Sequence, residues 1–262
     1  MRYQIKYAAV CFTGLIRSHN EDNYNISGIY RQVDEPDREE LLSGTAAVPG
    51  RRTFAVFDGM GGESCGEMAS YIAAMHFDRL MKRRRSLWEV FHPEEYISRN
   101  LLEINGEICR YASEHKIRSM GTTAAVLFFD SKNVIWANLG DSRIYRFRRT
   151  GKGLSGKDPI ERVSEDHANK GIFGRKGGLT QYLGLPEEEA RIEPFLQSAS
   201  VDGRYGYLLC SDGLTDLVND QEIGRILQEN DTPETAIREM KETVLANGGT
   251  DNTTIIICLP IV

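Results

Sequence analysis

Two apolar patterns alternate along the chain. Short unbroken apolar runs, as in strands covered on both faces, mark residues 54–57, 122–129, 134–139, 205–210 and 253–259. Residues 3–12, 23–30 and 142–148 are less continuous but rich in β-favouring side chains, and also read as strands. Helical spacing takes over at 63–85, where Ala69, Ile72, Ala73, His76, Phe77 and Leu80 recur every three or four positions. It returns at 93–116 through Ile97, Leu101, Ile104, Ile108 and Tyr111, with Pro93 at the first helical position. Trp88 and Pro93 interrupt the pattern between these two, and 220–229 and 233–246 are the remaining helices. Turn residues at 130–133 and 140–141 leave so little chain between strands that the strands pair antiparallel. The charged stretch 31–52, with Pro36, Gly44, Pro49 and Gly50, reads as a long exposed connection. Residues 149–159 read as a polar loop and 163–184 as irregular. No repeat, low-complexity tract or linker divides the chain, so one domain over 1–262 is expected.

Composition narrows the class. The 262 residues are 40% hydrophobic and 27% charged, which suits a globular protein with a substantial core. A net charge of −6 speaks against a nucleic-acid partner, which usually meets a basic excess. The one basic cluster, Lys82 to Arg85, complements a helix C-terminus. Cys11, Cys65, Cys109, Cys210 and Cys258 are odd in number, widely spaced and without a Cys-x-x-Cys, which favours a reducing compartment over a disulfide or zinc framework. The first residues lack a signal-peptide core, and no apolar run approaches the ~18 residues of a membrane span. The expectation is a cytoplasmic monomer without a membrane partner.

The candidate chemistry lies where the strands stop. Asp58 ends the 54–57 run and is followed by Gly59, so a carboxylate and a backbone carbonyl stand together as oxygen donors for a hard cation such as magnesium or manganese. Asp141 stands in Gly-Asp-Ser-Arg, Asp212 in Ser-Asp-Gly and Asp251 in Asp-Asn, each at a strand boundary, with Glu21 and Asp22 before another. Strands of one sheet bring their ends together, and acids gathered there repel one another unless divalent ions neutralise them. Asp216 follows Asp212 by four residues, one helical turn, so both acids could face one way.

These motifs, in this order, resemble the metal-dependent Ser/Thr protein phosphatases of the protein phosphatase 2C family, bacterial type. The segments are Arg-x-x-Asn-Glu-Asp at 17–22, Phe-Asp-Gly-Met-Gly-Gly at 57–62, Met-Gly-Thr-Thr at 120–123, Gly-Asp-Ser-Arg at 140–143, Ser-Asp-Gly-Leu-x-Asp at 211–216 and Asp-Asn at 251–252. The resemblance runs from Tyr7 to Leu259 and implies an α+β fold, an α-β-β-α sandwich of two stacked antiparallel sheets flanked by helices. It also implies two tightly bound Mn2+ or Mg2+ ions. Asp58 would bridge them, Asp212 and Asp251 would complete one site, and Gly59 C=O would bind the other ion. Glu21 and Asp22 would hold metal-bound waters, and Arg17 would bind the substrate phosphate. Asp141 and Asp216 would form a weaker third site beside Asp212. Gly121, Thr122 and Thr123 would support the site without reacting. The implied reaction is hydrolysis of phosphoserine and phosphothreonine in proteins by a metal-bridging hydroxide, without a phosphoenzyme. The implied partners are phosphorylated proteins, with a Ser/Thr kinase and its targets by analogy.

Two departures from the family stand out. Met60 occupies the position where many eukaryotic relatives carry His. The substrate-facing flap, about 164–186, is short and lacks the usual Pro-x-Arg-Asn, so no flap residue is assigned to binding. Three alternatives remain open on the sequence. One is a non-catalytic phosphoprotein-binding module on the same fold, and another is a hydrolase of small phosphate metabolites. The third is cysteine chemistry in the Cys-x5-Arg-Ser stretch from Cys11 to Ser18. That stretch lacks the preceding His, and acids rather than a helix N-terminus follow it.

Overall fold

The computed structural model describes residues 3–33, 39–48, 52–61, 65–83, 87–149, 160–169 and 177–262. The elements in chain order begin with β1 (Tyr3–Phe12), β2 (Asn23–Ile26), β3 (Leu42–Val48), β4 (Arg52–Phe57), β5 (Gly59–Gly61), α1 (Cys65–Lys82), α2 (Leu87–Phe91) and α3 (Pro93–Glu114). They continue with β6 (Met120–Thr122), β7 (Ala124–Phe129), β8 (Asn133–Leu139), β9 (Arg143–Arg148), β10 (Glu161–Arg162), β11 (Phe195–Ser200) and β12 (Tyr205–Cys210). The last are α4 (Asp212–Thr215), α5 (Asp220–Glu229), α6 (Pro233–Ala246) and β13 (Thr253–Ile261).

Side-chain alternation along the strands builds four layers. One sheet runs β10-β9-β12-β13-β1-β3 and the other β11-β8-β7-β4-β2, with antiparallel neighbours throughout. In β7, Ala125, Leu127 and Phe129 face the opposite sheet, while Ala124, Val126 and Phe128 face α1 and α3. In β13, Ile256 and Cys258 face inward, while Ile255, Ile257 and Leu259 meet α4, α5 and α6. Both faces of β7 and of the middle of β13 are therefore buried, which is why 124–129 and 255–259 read as unbroken apolar runs. Each fully buried Ile or Phe contributes about 1.5–3 kcal/mol relative to exposure, so the layers form a stiff frame. The α-β-β-α sandwich expected from the sequence is the fold observed.

Several elements differ from the sequence reading. The stretch 31–52 is not wholly an exposed connection, because Leu42–Val48 pairs with β1 as an edge strand. Its residues are small, and Gly44 leaves room for the Tyr7 ring. The strand expected over 23–30 stops at Ile26, where Ser27 and Gly28 reverse the chain at φ 52° and 101°. Leu87–Phe91 forms a short helix across Trp88, where an interruption was expected. Strand β11 was not anticipated. It is a sheet edge, half exposed and polar in part, so it shows no apolar run. Parts of four expected features lie outside the described residues: 34–38 and 49–51 of the connection, 62–64 and 84–86 at the ends of the first helix, 150–159 of the polar loop and 170–176 of the flap.

Strand direction gathers the acids. Cys11 and Phe12 at the end of β1 pair with Thr254 and Thr253 at the start of β13, and Cys210 at the end of β12 pairs with both Ile255 and Arg143. In the other sheet, Phe57 at the end of β4 pairs with Asn23 at the start of β2, and Ala124 pairs with Leu139. The residues just beyond these termini include Asp22, Asp58, Asp141, Asp212 and Asp251. All five stand at one end of the sandwich.

Candidate metal centre

Asp58 is held through its main chain. Its N–H donates to Thr123 Oγ1 at 3.0 Å, and its C=O accepts from Thr122 Oγ1 and Thr123 N–H, both at 2.9 Å. Thr123 Oγ1 in turn lies 2.6 Å from Ser142 Oγ, beside Asp141. Thr122 and Thr123 thus brace Asp58, the supporting role expected of them, and leave its carboxylate free to face the other acids. Gly59 opens β5, paired with β6. Glycine is needed there for close approach, since a Cβ would stand 2.2 Å from Gly66 O and 2.5 Å from Glu21 O. Gly213 serves Asp212 in the same way, with Asn252 O 2.0 Å from where a Cβ would sit.

Electrostatics report how close the carboxylates are. Burial pushes the Asp58 carboxyl well above its ordinary range, and the charges of Asp22, Asp212 and Asp141 push it further, as does a hydrogen bond shared with Asp212. Asp22 is 1% exposed. Its Oδ2 accepts from Thr254 Oγ1 at 2.7 Å and Ser211 Oγ at 2.8 Å. Burial nevertheless carries it up to about 7; those two bonds oppose the rise, and the charges of Asp212 and Asp251 add to it. Helix α4 begins at Asp212, as the four-residue spacing required, and Asp216 closes it, its N–H donating to Asp212 C=O at 2.8 Å. Among the described residues no three His, Cys, Asp or Glu side chains already close round one point.

This donor set fits divalent metal ions. The groups are hard oxygens, and the raised pKa of Asp58 and Asp22 marks a corner that lacks positive charge. Magnesium-like ions keep several waters and need only one or two carboxylates each, so a ready-made cage of protein ligands is not required. Asp58, Asp212 and Asp251 are the carboxylates that would hold such ions, with Asp141 near enough for its charge to act on Asp58.

Arg17 and Glu21 join the same end. Arg17 Nη2 donates to Asp251 Oδ2 at 2.8 Å, and this bond, with the charges of Asp251, Glu21 and Asp58, raises its pKa against a smaller desolvation effect. Its side chain remains 51% exposed, within reach of a ligand. Glu21 is fixed by main-chain bonds: its N–H donates to Asn252 Oδ1 at 2.8 Å, and its C=O accepts from Ser70 Oγ at 2.6 Å. Asn252 Nδ2 donates to the carbonyls of Thr13 and His19, both at 3.0 Å, tying the Arg17 loop to the Asp251 corner. Sequence reasoning did not single out Ser211, Thr254 or Ser70. The available signal was a hydroxyl beside an acidic motif or inside a buried strand.

Cysteine chemistry finds no support. Cys11 is buried in β1, its Sγ accepts from Asn20 Nδ2 and Thr254 Oγ1, both at 3.2 Å, and burial pushes the thiol up to about 11. Arg143 grips Asp166 through Nε and Nη2 at 2.7–3.2 Å.

Comparison with known proteins agrees with the geometry. Residues 37–170 match the family Protein phosphatase 2C. The serine/threonine phosphatase stp of Listeria innocua is 28% identical over 258 residues, covering 93% of this chain and 91% of the relative. A solved bacterial serine phosphatase superposes with a TM-score of 0.76 at 27% identity, covering 97% of this chain and 96% of that one. The catalytic domain of the serine threonine protein phosphatase PstP, solved with 2 manganese ions, superposes with a TM-score of 0.72 at 25% identity over 100% of both chains. Fold, donor set and sequence thus lead to one assignment: the chain belongs to the protein phosphatase 2C family.

Proposed function

We propose that this protein is a metal-dependent serine/threonine phosphatase, hydrolysing phosphoserine and phosphothreonine in proteins at the Asp58 corner. The observation that carries this reading is the crowding of Asp58 by Asp22, Asp212 and Asp141. A phosphate dianion cannot approach such a corner unless bound cations reverse its sign. Divalent ions held there supply Lewis acidity, which activates a water and offsets charge on the phosphoryl oxygens.

The chain's own residues do the rest. Asp58 lies at the centre of the cluster, and its braced main chain fixes where the ions would sit. Asp212, Asp251 and Gly59 C=O would complete the tight sites, while Asp141 and Asp216 would serve a weaker third. Glu21 and Asp22 would hold water around the ions. Arg17, drawn from Asp251 once that carboxylate is neutralised, grips two phosphate oxygens with its planar guanidinium. Met60 cannot donate a proton, so solvent protonates the leaving serine or threonine oxygen. Water attacks directly, and no phosphoenzyme forms.

The chain works as one catalytic domain and as a monomer. Its partners are phosphorylated proteins, including a Ser/Thr kinase and its targets. Among the described residues no helix is long and apolar enough to cross a membrane. The five free cysteines favour a reducing compartment, which supports a cytoplasmic site of action. The test is phosphate release from a phosphothreonine peptide with manganese, with and without chelator, beside an acid quench for labelled protein. Manganese-dependent release with no protein label is expected. Binding without release would indicate a phosphoprotein-binding module, and release that survives chelator would overturn the metal assignment.

A further inference from the structure

Leu15 and Ile16 are 63% and 70% exposed, among the most exposed large apolar side chains described. They immediately precede Arg17, which reaches Asp251 at 2.8 Å. Their loop is pinned. Leu15 N–H donates to Gly249 C=O at 2.7 Å, and Asn252 holds Thr13 C=O and His19 C=O on either side. Gly14, at φ 84°, packs so tightly that a Cβ would stand 2.5 Å from Asp251 O. The apolar pair is therefore presented at a fixed position beside the acid corner.

Exposure of this kind normally costs solubility and signals contact with a partner. Resting on the phosphatase reading above, we propose that Leu15 and Ile16 form an apolar docking step for the phosphoprotein substrate, selecting an apolar side chain one or two residues from the phosphorylated one. The occupant follows from continuity. Once Arg17 holds the phosphate, the substrate backbone must cross its neighbours, and one or two extended residues span roughly 3.5–7 Å. An anionic lipid surface is disfavoured, because the pair adjoins Glu21 and Asp251 on a chain of net charge −6.

The test compares two phosphothreonine peptides, one flanked by Leu and Phe and one by Gly and Ser, in wild type, Ile16→Ser and Leu15→Ser/Ile16→Ser. Both residues are exposed, and thermal unfolding would verify that the variants fold. Wild type should favour the apolar-flanked peptide about tenfold in kcat/KM, mainly through KM, as burial of one apolar side chain allows. The double variant should bring that ratio close to one, with Ile16→Ser between. Equal use of both peptides by wild type would overturn the proposal while leaving the phosphatase assignment standing. Turnover of neither would overturn both. A preference unchanged in the double variant would also overturn it, as would unchanged preference with vesicle binding or self-association that the substitutions abolish.

Discussion

Asp58 illustrates what a single residue contributes. Its carboxylate is crowded by three other acids while its backbone is held by Thr122 and Thr123, so its charge matters more than its volume. Asp58→Asn should keep the circular dichroism spectrum and lose turnover. Retention of more than a tenth of the native rate at saturating manganese, about 1.4 kcal/mol in barrier, would contradict the bridging role. Arg17→Ala removes a charge-assisted grip worth about 1.5–3 kcal/mol. Steady-state kinetics should show a raised KM for phosphopeptide and a modest fall in kcat if, as proposed, Arg17 binds phosphate before and during the reaction. Asp141→Ala and Asp216→Ala should each lower kcat and alter the manganese requirement, while calorimetry still finds two tight ions. Native behaviour in both would remove the third site from the mechanism. At this scale the acids were legible, because an Asp at the end of an apolar run next to glycine is a visible pattern. Ser211 was not legible as a partner of Asp22, since the two are 189 residues apart in sequence. Thr254 resembled any strand residue until its neighbours were placed.

Elements succeed or fail as predictions according to how much of each is buried. Helices α1 and α3 and the central strands β4, β7, β12 and β13 bury long stripes or both faces, so their patterns announce them. Strands β3 and β11 are edges with small or polar residues, and β5 and β6 span three residues each; none needs a periodic apolar face. Edge pairing depends on a neighbour elsewhere in the chain, and local sequence does not record it. The glycines beside the acids were visible, but their purpose was not. Gly59 and Gly213 exist so that main chain can touch main chain. Gly59→Ala would force a Cβ against backbone atoms of Gly66 and Glu21, which cannot yield as a flexible side chain would. A loss of about 1–3 kcal/mol in stability is expected, together with weaker manganese binding. Thermal unfolding and a manganese titration would check it, and native values in both would contradict the close-approach account.

The whole molecule is a stiff four-layer frame with its unfavourable charge concentrated at one end. Its layers were expected from the resemblance the motifs carry, and the meeting of the acids at one end followed from their places at strand boundaries. The apolar pair beside Arg17 and the braces around Asp58 emerged only with the three-dimensional arrangement. Charge concentration gives the metal-free protein a pH signature. Asp22 titrates at about 7 when folded, against an ordinary value of 3.8. Between those values the folded chain keeps a proton that the unfolded chain has released, so this group's contribution to stability falls as pH rises from about 4 to 7. Metal binding needs the proton gone, so the stabilisation by manganese should grow over the same range. Thermal unfolding of wild type and Asp22→Asn with chelator, at pH 5 and 7.5, isolates the effect. Relative to the variant, wild type should lose stability as pH rises, and a relative gain would contradict the crowding. The central claim, that these carboxylates act by holding divalent ions, is tested most directly by phosphate release from a phosphothreonine peptide across a manganese titration, wild type beside Asp58→Asn. The account predicts a saturable, chelator-reversible rise for wild type and a flat line for the variant. Superimposable curves, or full activity before any manganese is added to chelator-stripped protein, would contradict it.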